Sequence, residues 1–106
     1  MRSTFLIVVL SAALAAGAGA QSPDGKALFE ANCAKCHGLA GRPSAIIRKM
    51  FPEIPTYDDA FFSKRSEDDI IGVLMNGKGK NMKPWPDKLS PQEMAAVARY
   101  IRTLKP

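Results

Sequence analysis

Hydrophobic positions along this chain recur at helical spacing, and no segment alternates one by one beside turn signals. Met94, Val97, Ala98, Ile101 and Leu104 lie three and four apart, which predicts one buried face of a helix. Ser90-Pro91-Gln92-Glu93 ahead of them reads as a capping box with proline at the first helical position. Ile70, Ile71, Val73 and Leu74 mark an earlier helix, opened by Ser66-Glu67-Asp68-Asp69 and stopped at Asn76-Gly77. Ser22-Pro23-Asp24 predicts another start, with the Ser22 hydroxyl as N-cap and Asp24 facing the positive end of the helix. That helix runs through Ala27, Leu28 and Phe29 towards Asn32, and Gly25, Phe29 and Cys33 share one face. Between these helices, Gly38 to Tyr57 holds Gly38, Gly41, Pro43, Pro52 and Pro55, so it reads as irregular with one turn around Ile46 to Lys49. Asp58 to Ser63 is a further short helix. Gly77 to Pro86 carries two glycines and two prolines and forms no helix. The expected fold is all-α: helix, long loop, helix, loop, helix.

The opening residues have a different character. Met1-Arg2 is a short positive start, Phe5 to Leu14 an apolar run, and Ala18-Gly19-Ala20 a small-residue cleavage pattern. This predicts a cleaved secretory signal over residues 1–20, followed by a single domain over residues 21–106. The apolar run is shorter than the ~20 residues a membrane-spanning helix needs. Of the 106 residues, 46% are hydrophobic and 24% charged, which excludes a disordered, collagen-like or coiled-coil chain. The net charge is +5, and the signal takes one arginine and no acid with it. A domain of the remaining size buries only about 60–65% of its unfolded surface, so a bound group or a cross-link is expected to complete its core.

The chain has two cysteines and one histidine, and all three fall within Cys33-Ala34-Lys35-Cys36-His37. Random placement of three such residues gives Cys-x-x-Cys-His roughly twice in ten thousand chains of this length. Two thiols one helical turn apart can each add to a vinyl group of one haem, and the adjacent imidazole then meets the iron as proximal ligand. The alternatives each have a weakness. A disulfide gives the histidine no role, a thioredoxin-like pair expects a βαβ context, and a structural zinc site needs four ligands.

A second histidine ligand is excluded, so methionine is the remaining soft donor for the far side of the iron. Met94 lies on the apolar stripe of the last helix and Met75 near the end of the preceding one, where both are expected to fill the core. Met50 sits in the proline-rich connection. Met82 lies in the glycine- and proline-rich loop before the final helix, stiffened so that holding a thioether in place costs less entropy. The expected site is therefore Cys33 and Cys36 for covalent attachment, with His37 and Met82 as iron ligands. No catalytic residue is expected.

At this point the chain resembles the class I, monohaem cytochrome c family, of the small bacterial periplasmic type. The resemblance rests on the run Gly25 to Gly38, on Asn76-Gly77-Lys78-Gly79-Lys80-Asn81-Met82-Lys83-Pro84-Trp85, and on Ala98-Arg99-Tyr100-Ile101. It implies three to five helices around one haem c, with the first and last helices crossing where Gly25 and Phe29 meet Tyr100. It also implies a backbone carbonyl accepting from the far nitrogen of the proximal imidazole, with Pro43 as candidate. Candidates for the haem propionate contacts are Arg42, Tyr57 and Trp85.

Iron held by histidine and methionine has no open position and keeps its ligands in both oxidation states, which describes a single-electron carrier rather than an enzyme. Lys35, Lys78, Lys80 and Lys83 would then rim the haem edge and steer an acidic-surfaced redox partner. The expected setting is the periplasm, with no nucleic-acid partner, no stable membrane insertion after signal cleavage, and a monomer unless the chain is part of an enzyme complex. Two other functions stay open. One is a dedicated subunit of a periplasmic dehydrogenase or sulfur-oxidising complex, docking through Phe51, Phe61, Phe62 and Trp85 if exposed. The other is a five-coordinate gas-binding or peroxidase-like haem protein, which requires that Met82 does not bind.

Overall fold

Short polar side chains set most of the helix starts. The computed structural model describes residues 22–106, so the predicted signal over residues 1–20 lies outside the described residues. Six helices follow: α1 Gly25–Asn32, α2 Ala34–His37, α3 Ala45–Met50, α4 Asp59–Ser63, α5 Glu67–Asn76 and α6 Pro91–Ile101. Asp24, Ser44, Asp58, Ser66 and Ser90 each accept a hydrogen bond from the backbone N–H three residues on. At ~1 kcal/mol per cap, this matters most for α3 and α4, which are too short to stand alone. Ser90 with Glu93 completes a reciprocal capping box, as the sequence predicts, and Ser66 with Asp69 completes a second at the helix start predicted there.

Three expectations change. Among the described residues there are six helices rather than three to five, because the attachment segment Ala34–His37 closes as a helical turn of its own beside the short α3 and α4. The N-cap of α1 is Asp24, which accepts from Ala27 N–H, rather than Ser22. Starting two residues later places Gly25 at the first helical position, against α6. Met75 is 40% exposed rather than a core filler. Ile70 and Leu74 occupy the buried face of α5, and Met75 stands about 100° further round the helix.

The core lies where α1 crosses α6 and α5 packs beside them. Phe29, Met94 and Ile101 are almost wholly buried, joined by Ile70, Leu74, Leu89, Val97 and Ala98. A large side chain buried in this way contributes ~1.5–3 kcal/mol. The crossing is close because Gly25 has no side chain, and Phe29 and Tyr100 meet there with ring centroids 5.5 Å apart. Phe61, Phe62 and Trp85 pack against this core and Phe51 is half-buried, so the exposure that would make these four a docking patch is not met. Among the described residues the exposed large apolar side chains are Leu39, Ile46, Met50 and Met75. Among the described residues no helix is long and apolar enough to cross a membrane.

Candidate haem site

The Cys-x-x-Cys-His segment is one tight helical turn. Cys33 ends α1 and begins α2 with φ −119° and ψ −38°. Its N–H donates to the Phe29 carbonyl at 2.8 Å, and its carbonyl accepts from His37 N–H at 2.9 Å. The turn stops at Gly38, whose φ of 84° suits glycine, and a Cβ there would sit 2.7 Å from the Arg42 carbonyl carbon. The thiols of Cys33 and Cys36 are both free and half-buried. Burial pushes the Cys33 thiol up to about 11. Burial also lowers the His37 pKa, which keeps the imidazole neutral and able to ligate.

His37 has one ring nitrogen engaged. Its Nδ1 lies 3.0 Å from the Tyr57 hydroxyl, and the two rings stack with centroids 5.3 Å apart and an interplanar angle of 15°. The partner in this structure is therefore Tyr57 rather than the expected Pro43 carbonyl. Pro43 is among the most deeply buried side chains of the chain, in the same connection. Burial raises the Tyr57 phenol pKa far above its ordinary value, with the Cys33 thiolate adding to it, so the phenol stays protonated. Tyr57 had stood as a candidate propionate contact, and nothing in the residue spacing singles it out for His37. Of the other two candidates, Arg42 is exposed and Trp85 is half-buried beneath Lys88.

Met82 reaches the core from the opposite end of the sequence. Gly77 ends α5 with φ 73°, and a Cβ there would lie 2.9 Å from Pro84 Cδ. Lys78 and Met82 then pair across an isolated bridge, Lys78 N–H donating to the Met82 carbonyl at 2.8 Å. Trp85 N–H ties the far end of the loop to the Leu74 carbonyl at 2.8 Å. Met82 is half-buried and packs on the same core cluster as Cys33 and Ala34. Met94 is buried as expected, while Met50 and Met75 stand in solvent. Lys35, Lys78, Lys80 and Lys83 are all exposed.

The donor set fits a covalently bound haem: two free thiols one turn apart, a neutral imidazole beside them, and a half-buried thioether on a pinned loop. It does not fit a bare metal ion. Among the described residues no group of three or more His, Cys, Asp and Glu side chains is placed to hold one.

Comparison with known proteins agrees with this donor set. The family model described as Cytochrome c matches residues 22–105. The chain belongs to the cytochrome c family. Cytochrome c brings with it a covalently bound haem c, whose attachment motif Cys33 and Cys36 fit, and haem-based electron transfer as its general chemistry. The chain is similar to the chloroplastic cytochrome c6 of Chlamydomonas reinhardtii, with 35% identity over 89% of this chain and 62% of that protein. It is also similar to the cbb3-type cytochrome c oxidase subunit FixP of Azorhizobium caulinodans, with 30% identity over 76% of this chain. It spans only 26% of that subunit's length. Among solved structures, the c-type cytochrome KustC0563 superposes with a TM-score of 0.70 at 28% identity, over 78% of this chain and 99% of that one.

Proposed function

We propose that the chain is a single-electron carrier in which Cys33 and Cys36 hold haem c and His37 and Met82 supply the two axial ligands. The observation that carries this reading is the placement of Met82. Among the described residues it is the one methionine held on a pinned loop and half-buried, whereas Met94 is locked in the core and Met50 and Met75 are exposed. Haem c supplies the one-electron chemistry. The chain's own residues do the rest. His37 offers Nε2, because Nδ1 is engaged by Tyr57. Met82 would hold the iron from the other side, which would leave no site for substrate or gas and make the chain a carrier rather than an enzyme. The packed core around Phe29 and Leu74 keeps ligand rearrangement small as the electron moves.

Residues 21–106 then form a single exported domain that works in the periplasm after residues 1–20 are removed, and its redox partners carry acidic surfaces matching Lys35, Lys78, Lys80 and Lys83. A second reading, that of a cytochrome module inside a larger enzyme, is favoured by the FixP likeness, since there a comparable stretch makes up only a quarter of the chain. The exposed Leu39, Ile46 and Met50 suit such a docked module.

The test is the visible spectrum of the periplasmically expressed protein, oxidised and reduced, with and without carbon monoxide. A far-red sulfur-to-iron band in the oxidised form and no response to carbon monoxide are expected. A high-spin spectrum that shifts with carbon monoxide removes Met82 from the iron and supports a gas-binding or peroxidase-like protein. Co-purification with a stable partner separates the enzyme module from the free carrier.

A further inference from the structure

The hydrogen-bond partner of the axial histidine is a side chain here, and that has consequences for how the iron is tuned. We propose that Tyr57 is the positioning residue for His37: its hydroxyl accepts the Nδ1 proton in the haem-loaded protein, fixing which nitrogen is free to ligate and how the imidazole plane is turned. The proposal rests on the reading of His37 as axial ligand.

The proton assignment follows from valence. A neutral imidazole that ligates through Nε2 carries its proton on Nδ1, so Nδ1–H is the donor and the Tyr57 oxygen, 3.0 Å away, is the acceptor. The phenol has little freedom to leave. Its ring stacks on His37 and meets Phe61 edge-on at 5.1 Å, with Phe62 at 6.2 Å. Its backbone N–H donates to the Gly41 carbonyl at 2.9 Å, and Gly41 N–H donates back to Gly38 at 3.0 Å. A Cβ on Gly41 would come within 3.1 Å of the Tyr57 Cβ, and the φ of 83° there favours glycine in any case. The two glycines thus close a loop that returns the chain from His37 to Tyr57 across twenty residues. The long connection, irregular in its sequence pattern, is the device that delivers this one hydroxyl.

Electronically, an acceptor on Nδ1–H makes the imidazole a stronger donor and favours ferric iron. A phenol oxygen is a weaker acceptor than a peptide carbonyl. Unlike a carbonyl, it can be deleted by changing one atom.

The test is Tyr57→Phe in the haem-loaded protein, with Tyr100→Phe as a control that alters an aromatic without touching His37. Loss of a hydrogen bond of ordinary strength shifts an equilibrium about threefold to tenfold. Tyr57→Phe is therefore expected to favour ferrous over ferric iron by that factor, tenfold being 59 mV for one electron. Low-spin iron is kept, and Tyr100→Phe leaves the potential in place. In the reduced parent, the His37 Nδ1 proton is expected to show through-space NMR contact with the Tyr57 ring and to exchange faster with solvent in Tyr57→Phe. The parent spectrum alone decides if the variant yields no holoprotein: contact between that proton and Pro43 instead of Tyr57 overturns the proposal. An unchanged potential in Tyr57→Phe with low-spin, His-ligated parent protein overturns it alone. A parent without His-ligated iron overturns the axial reading and this proposal with it.

Discussion

Gly25 of α1 lies directly against the backbone of Ala96 in α6: a Cβ added to Gly25 would sit 2.8 Å from the Ala96 carbonyl carbon. The obstacle is backbone, so it cannot swing aside as a side-chain tip would. The same added atom would also reach the Tyr100 Cβ at 3.0 Å. Gly25→Ala must therefore push the two helices apart and loosen Phe29 from Tyr100. Overpacking of this kind costs ~1–3 kcal/mol. The expected result is a lower denaturant midpoint with the visible spectrum of the folded protein unchanged. Equal stability of the two proteins would mean that the crossing has slack.

Met82→Ala is expected to leave the haem attached through Cys33 and Cys36 while opening one axial position. The variant should lose the far-red band and bind carbon monoxide. Met75→Ala and Met50→Ala should keep both parental properties, since those side chains stand in solvent. A low-spin Met82→Ala protein that refuses carbon monoxide would assign the ligand elsewhere.

What could be read in the sequence was local. Ser90 and Glu93 are three residues apart, so one helical turn decides their pairing and the pattern alone reveals it, as it reveals the start at Ser66. The glycine stop at Gly77 and the attachment motif at Cys33 to His37 are local in the same sense. The start of α1 is ambiguous in the sequence because Ser22 and Asp24 are both good caps; in the structure Asp24 caps, with Gly25 against Ala96. Tyr57 and His37 are twenty residues apart, joined by a loop with no periodicity, and nothing in their spacing announces the bond. Met75 illustrates the same limit: an apolar residue at a helix end faces whatever the tertiary packing leaves for it.

Gly72 and Gly77 should respond oppositely to alanine. Gly72 stands inside α5 with nothing within 4 Å of an added Cβ, and a helical glycine costs about 0.5–1 kcal/mol relative to alanine. Gly72→Ala should raise thermal stability by about that amount. Gly77 has φ 73° and crowds Pro84, so Gly77→Ala should lower stability and loosen the loop that holds Met82. Thermal unfolding followed by circular dichroism, together with the far-red band, separates the two effects. A destabilised Gly72→Ala protein would show that the outer face of α5 is covered.

Asp69 gives the helix start of α5 a defined pH dependence. Its carboxylate accepts from the Ser66 N–H at 2.8 Å while its own N–H donates to Ser66 Oγ, and this hydrogen bonding to Ser66 holds its pKa below the ordinary 3.8, with Arg65 adding a little. A carboxyl whose pKa is lower folded than unfolded stabilises the fold fully above its ordinary value and loses that contribution as pH falls through the folded value. Asp69→Ala should therefore be less stable than the parent at neutral pH, and the gap should narrow below about pH 3.8. Denaturant titrations at several pH values measure it. A gap that stays constant into acid would remove the charge from the cap's contribution.

The exposed lysines make a prediction about rates rather than stability. Lys78, Lys80 and Lys83 bracket Met82, and Lys35 lies within the attachment motif. If these charges surround the point where electrons leave, an anionic iron complex such as ferricyanide should oxidise the reduced protein faster as salt is lowered, and a cationic cobalt complex slower. Steering by a focused positive field raises association rates by ten to about a thousandfold. Reversing Lys78, Lys80 and Lys83 to glutamate should cut the ferricyanide rate by at least about tenfold and invert its salt dependence. Stopped-flow traces at several ionic strengths carry the test, with the potential of each variant measured so that driving force can be separated from charge. Rates that follow only the potential would leave these lysines as ordinary solvated side chains, and the acidic partner would lose its support.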